Sequence, residues 1–70
     1  MYYMEEFAKR LKEILNEKNI SQKAFSKKIN MSQSIINGYC TGTRIPSLDA
    51  FKKICIELNV EASYLLGLED

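Results

Sequence analysis

Between Ser21 and Gly42 the sequence reads SQKAFSKKINMSQSIINGYCTG, and four of its residues divide the chain more sharply than any others. Ser21 and Ser32 are of the type that caps a helix by accepting a backbone N–H of its first turn. Asn30 tolerates a left-handed backbone, and Gly42 suits a helix end. The divisions leave two helices of about eight to ten residues each, joined through a very short connection centred on Asn30 and Met31. So short a junction sets the two helices at a large angle.

The rest of the chain keeps the same helical period. Phe7, Leu11, Ile14 and Leu15 recur on one face of a first helix expected from about Glu5 to Lys18, with Lys9, Lys12, Glu13 and Glu17 filling the remainder. In the second helix Ala24, Phe25 and Ile29 are the expected inward residues. Pro46 stops any helix within TRIPS, and Ser47 caps a fourth, whose Leu48, Phe51, Ile54, Cys55 and Leu58 make its apolar stripe. A short apolar turn, about Ala62 to Leu66, closes the pattern. The predicted fold is all-α, four helices and a short closing turn in a single domain spanning residues 1–70, with Met1 to Met4 an N-terminal arm, a dimer contact or a disordered segment and no effector domain expected.

Seventy residues hold only a small core, which normally needs dense helix packing, a metal, disulfides or oligomerisation. With no His and only Cys40 and Cys55, the chain offers no four-ligand metal site, so no metal or cofactor is expected. Two cysteines without a leader segment favour reduced thiols and a cytoplasmic location. No apolar run approaches the roughly 20 residues that span a membrane, so no membrane partner is expected. Neither is an enzyme: there is no glycine-rich phosphate loop, and neither Cys has an oriented base beside it.

The formal net charge is only +1, but its distribution is uneven. Residues 18–53 hold seven Lys or Arg against the single acid Asp49, and residues 54–70 hold four acids and no base. The middle of the chain is therefore a candidate basic surface, although lysines that merely solvate helix faces would give the same count. The tight second and third helices form a helix-turn-helix, an arrangement that can project its second helix into a DNA major groove.

The run ISQKAFSKKINMSQSIINGYCTGTRIPSLDAFKKICIELNVEASYLLG resembles the Cro and lambda-repressor type of bacterial and phage helix-turn-helix domain, the XRE family. The resemblance rests on SQ opening the second helix, SQS opening the third, Ile36, Tyr39, Gly42, RIPS, and the closing LNV and YLLG, all in the family's order. It implies a five-helix lambda-repressor-like domain acting as a transcriptional regulator, a repressor, bound as a dimer to a pseudo-palindromic operator on double-stranded DNA. No small-molecule ligand is implied. The chain departs from the family at Asn30, where a turn glycine is common, and at Ser26, where alanine is usual. Many members carry a long polar or basic side chain at the position of Gly38. Many also pair an arginine late in the first helix with a glutamate at the end of the third, where this chain has Leu15 and Cys40. Leu15 and Cys40 are accordingly expected to meet across the core.

Helical spacing puts Ile36, Tyr39 and Cys40 on one face of the third helix, its core face, and Gln33, Ser34, Asn37 and Gly38 on the opposite side. On that reading Gly38 is an absent side chain on the reading face. Gln33 can pair with the edge of adenine, and the matching family position often reads bases; the alternative is an exposed polar residue near a cap. Ser34 and Asn37 are further candidates for base contact or simply face water. Ile35 lies at the flank and is expected to pack against the second helix. Backbone contact is assigned to Gln22, at the opening of the second helix where the family uses this position for phosphate, and to Ser32, Thr41, Thr43 and Arg44. Arg44 is the strongest of these by charge, with Lys27 or Lys28 assisting or standing as ordinary surface lysines. Dimerisation is assigned to Tyr64, Leu65, Leu66 and Leu68, with capping of the monomer core as the alternative. The competing function is a protein-interaction module that keeps the fold and has lost specific DNA binding.

Overall fold

The computed structural model describes residues 2–69, with side chains from Glu5 onward, and the described chain is helical throughout its regular parts. Five helices follow in order: α1 Tyr2–Glu17, α2 Gln22–Lys28, α3 Gln33–Thr41, α4 Leu48–Leu58 and α5 Ala62–Leu65. The start of α1 lies at Tyr2, ahead of the Glu5 expected from the sequence. The expectation of an arm at Met1 to Met4 concerns residues whose side chains lie outside the described ones, and Met1 lies outside them altogether.

Each of the three serines does what its position predicts. Ser21, Ser32 and Ser47 stand in extended backbone and accept from the N–H groups of Ala24, Ile35 and Ala50 at 3.0, 3.2 and 3.1 Å. These bonds satisfy helix-start donors that otherwise have no partner within the helix, each cap contributing about 1 kcal/mol. The helix ends use the left-handed region: Asn19, Asn30 and Asn59 have φ of 58, 58 and 54°, and Gly42 has 82°. Asn30 thus takes the turn conformation at the α2–α3 corner without a glycine, as a short polar side chain allows.

The core is one cluster to which α1 gives Phe7, Leu11 and Leu15, the α2 segment Phe25 and Ile29, α3 Ile36, Tyr39 and Cys40, α4 Ile54 and Leu58, and α5 Leu65. Helix α1 packs chiefly on α3, and α2 also lies against α3, so the third helix is held from two sides. Phe7 sits edge-on to Tyr39 with ring centroids 6.3 Å apart and tilts against Phe51 at 5.8 Å. Ser26 is buried, and its hydroxyl donates to Lys23 O at 2.7 Å, so the residue that stands for alanine has its polar group satisfied within the helix. Leu15 and Cys40 both belong to the buried cluster.

Two expected inward residues face out. Ala24 is exposed, because Phe25 and Ser26 take the inward side of so short a helix. Leu48 is 87 % exposed: it is the first residue of α4, one turn ahead of the point where Phe51 and Ile54 reach the core. Arg10 fastens the C-terminal turn to α1. Its guanidinium pairs with Glu6 at 2.8 Å, donates to Tyr64 O and Glu69 O at 3.1 and 2.7 Å, and lies 4.5 Å from the centre of the Tyr64 ring.

Candidate nucleic-acid interface

The corner between α2 and α3 fixes the presentation of the third helix. Ile29 ends α2 with its N–H bonded back to Phe25 O, Asn30 reverses the chain, and the Met31 N–H donates to Ser26 O at 2.9 Å. Met31 packs its side chain on the core, leaving Ser32 to open α3 at the surface. A turn so closely bonded leaves α3 little freedom relative to α2.

Within α3, Gln33, Ser34, Asn37 and Thr41 are exposed while Ile36, Tyr39 and Cys40 are buried. At 100° per residue the four exposed residues fall within one contiguous face. Ile35 is half-buried against the core cluster, in line with its expected packing role. The side chains of Gln33, Ser34 and Asn37 present amide and hydroxyl groups that can both donate and accept, the chemistry needed to read base edges.

Gly38 does not stand open on that face. It is buried, and the Arg44 side chain covers it: a Cβ built on Gly38 would lie 2.7 Å from both Cγ and Cδ of Arg44 and 3.1 Å from its Cβ. The reason lies in how α3 ends. Gly42 takes the left-handed conformation and its N–H returns to Gly38 O, as do the N–H groups of Thr43 and Arg44 at 3.0 and 3.2 Å. A helix closed by a left-handed residue sends its following chain back over its last turn. Here that chain carries Arg44 across the one position of the turn with no side chain.

The same closure occupies the threonines. Thr41 Oγ1 lies 3.2 Å from Gly38 O and donates to it, Thr43 Oγ1 donates to the same oxygen at 3.4 Å, and the two hydroxyls are 3.0 Å apart. Their protons are therefore engaged locally, although both residues are exposed where the sequence reading places backbone contact. Arg44 is exposed, and none of the described residues accepts from its guanidinium. Gln22 is the half-buried first residue of α2, beside Lys12, Asn16 and Ser21 in a depression of about 200 Å³. Lys28 Nζ lies 3.4 Å from Glu57 of α4, an exposed pair of small energetic value, whereas Lys27 is exposed on α2.

Neither cysteine is in a setting that yields a thiolate. Burial pushes the Cys40 thiol above its ordinary value, with the Lys12 charge opposing only in part, and burial and then the Glu61 charge push the Cys55 thiol up. Among the described residues no cluster of His, Cys, Asp or Glu is arranged to hold a metal ion. Among them, too, no helix is long and apolar enough to cross a membrane.

The C-terminal residues assigned to dimerisation separate. Leu65 is wholly buried in the core of the chain itself and is not available to a partner, a correction that follows from α5 packing on both α1 and α4. Tyr64 is half-buried beneath Arg10. Leu66 is half-buried at the edge of a small apolar groove of about 100 Å³, lined also by Phe7, Ile45, Pro46, Leu48 and Phe51, and Leu68 is 71 % exposed.

The sequence reading missed the Gly38–Arg44 contact, though a signal for it existed. Once Gly42 is taken as the left-handed helix end, Gly38 is the residue to which the returning chain must bond. No curated protein and no solved structure matched the chain. A helix-turn-helix family model matches residues 11–65, which takes in the α2–α3 corner, the whole of α3 and the loop that carries Arg44. The chain belongs to the Cro/C1-type helix-turn-helix family, the XRE family, and is a DNA-binding transcription regulator of that type.

Proposed function

We propose that the protein is a sequence-specific repressor that binds double-stranded DNA as a dimer, with α3 in the major groove of each half of a pseudo-palindromic operator. The observation that carries this reading is the outer face of α3, where Gln33, Ser34 and Asn37 are exposed together and the stem of Arg44, whose guanidinium has no partner among the described residues, lies over Gly38 of the same helix. Gln33 reads an adenine edge, and Ser34 and Asn37 add shorter contacts to bases. Arg44 holds a phosphate, with Gln22 and Ser32 at the helix starts and Thr41 and Thr43 at the close of α3 lining the same backbone path. The engaged threonine hydroxyls leave Arg44 as the strongest donor at that end.

A dimer places its two reading helices about 34 Å apart, one turn of the duplex. Support for self-association is apolar surface that the monomer leaves outside: Leu68, and separately the groove where the half-buried Leu66 meets Ile45 and Leu48, which are 67 and 87 % exposed. The same surface would serve an interaction module that no longer binds DNA. Selection by gel shift from a pool of random duplexes separates the two. A regulator of the proposed kind enriches one motif with two-fold symmetry; failure of the folded protein to enrich any motif would refute the reading and favour the module.

A further inference from the structure

We propose that Gly38 is a positioning residue for Arg44, holding the guanidinium beside the reading helix before DNA arrives; the inference rests on the DNA-binding reading above. Gly38 acts on Arg44 at two points. Its carbonyl accepts the Arg44 backbone N–H at 3.2 Å, and its missing side chain leaves the space in which the Arg44 stem lies. The first contact fixes where the residue starts. The second fixes the direction in which its flexible stem leaves, because Cγ and Cδ rest where any Cβ at residue 38 would have to be.

An arginine free in solvent must surrender rotamer freedom on meeting a phosphate, a cost that an ordered stem has already met in the free protein. Gly38 also has a cost of its own, since glycine within a helix is unfavourable relative to alanine. A Cβ at residue 38 leaves the exposed Arg44 side chain one escape, outward into solvent and away from α3. The sequence change therefore acts at residue 44 although it is made at residue 38, and Gly38 itself touches no DNA.

The test uses the full chain and four proteins: the parent, Gly38→Ala, Arg44→Ala and the double variant, each checked for parental helix content by circular dichroism. Binding to the duplex enriched by the parent, and to a scrambled duplex of the same composition, is titrated by fluorescence anisotropy over a range of salt concentrations. Arg44→Ala is expected to lower the salt slope by about one on both duplexes, as loss of one phosphate contact does. Gly38→Ala is expected to lower it by the same amount with Arg44 still present, to leave the ratio between the two duplexes unchanged, and to add nothing in the double variant. Parental slope in a folded Gly38→Ala protein, or additive losses in the double variant, overturns the proposal while leaving DNA binding standing. A parent that binds neither duplex overturns the DNA-binding reading and this proposal with it. Should Gly38→Ala not fold, the parent still decides: nuclear Overhauser contacts between the Gly38 α-protons and the Arg44 γ- and δ-protons are expected, and their absence refutes the seat.

Discussion

The inner face of α3 is made by the helix alone, from Ile36, Tyr39 and Cys40, whereas its outer face is assembled from two segments, with Gln33, Ser34 and Asn37 supplied by the helix and Arg44 by the loop beyond it. The two faces obey different physics. Inside, the deciding quantity is burial, and a wrong group costs stability whatever the protein binds. Outside, the side chains are exposed, so a change there is expected to alter binding and leave the fold nearly intact. Gly38 lies on the boundary and belongs to both accounts, buried by a residue whose far end is in solvent.

The largest effect should come from breaking the inner face. Cys40 is 1 % exposed and Leu15 4 %, so Cys40→Glu places a carboxylate in an apolar site and should cost about 3 kcal/mol or more by urea denaturation. Adding Leu15→Arg should recover much of that loss, because both charges of the pair then stand together. If the two changes prove additive, Leu15 and Cys40 do not share one site and the inner face is wrongly drawn.

Gln33→Ala probes the outer face. Its stability should stay within about 0.5 kcal/mol of the parent, as for surface changes generally, while base preference at one position in each half-site relaxes by about 1 to 3 kcal/mol. Unaltered base preference on the selected duplex would remove Gln33 from the reading surface.

Gly38→Ala sharpens the boundary between the faces. Helix propensity alone would make the variant about 1 kcal/mol more stable, the outcome for an open outward position. Displacement of the Arg44 stem should cancel much of that gain, leaving a change of about 0.5 kcal/mol or less in denaturation. A full gain would mean that Arg44 does not rest on Gly38.

The smallest effect concerns the thiols. Both are held above the ordinary value of 9.0, so the folded chain keeps protons that the unfolded chain gives up. Their contribution is fully present below pH 9 and is lost as pH rises through the raised folded values. Denaturation midpoints should therefore fall in mildly alkaline solution above that pH, and Cys40→Ala should fall less than the parent. A parent midpoint unchanged over this window would argue against a buried thiol at Cys40 on the inner face.

Much of the fold was legible because local chemistry and global packing agree. Ser21, Ser32 and Ser47 cap the helices they precede, Asn30 and Gly42 take left-handed backbone, and the periodic residues of α1 fill the core. Periodicity failed at helix ends, where Leu48 and Ala24 have the right spacing and no opposing element. It also failed where the chain returns on itself. A projection of α3 alone places Gly38 outside, since it contains no information about a residue six positions later. Arg10 was silent for the same reason: its partners Tyr64 and Glu69 lie at the other end of the chain. Leu65 could not be assigned to core or interface from its apolarity, which both roles require.

Which surface meets DNA is measured most directly by the change in backbone amide shifts when the labelled protein is titrated with the duplex it selects. The largest changes are predicted at Gln22, across Ser32 to Asn37, and at Thr43 and Arg44. A saturating titration that leaves Ser32 to Asn37 unmoved would contradict the placement of α3 against DNA.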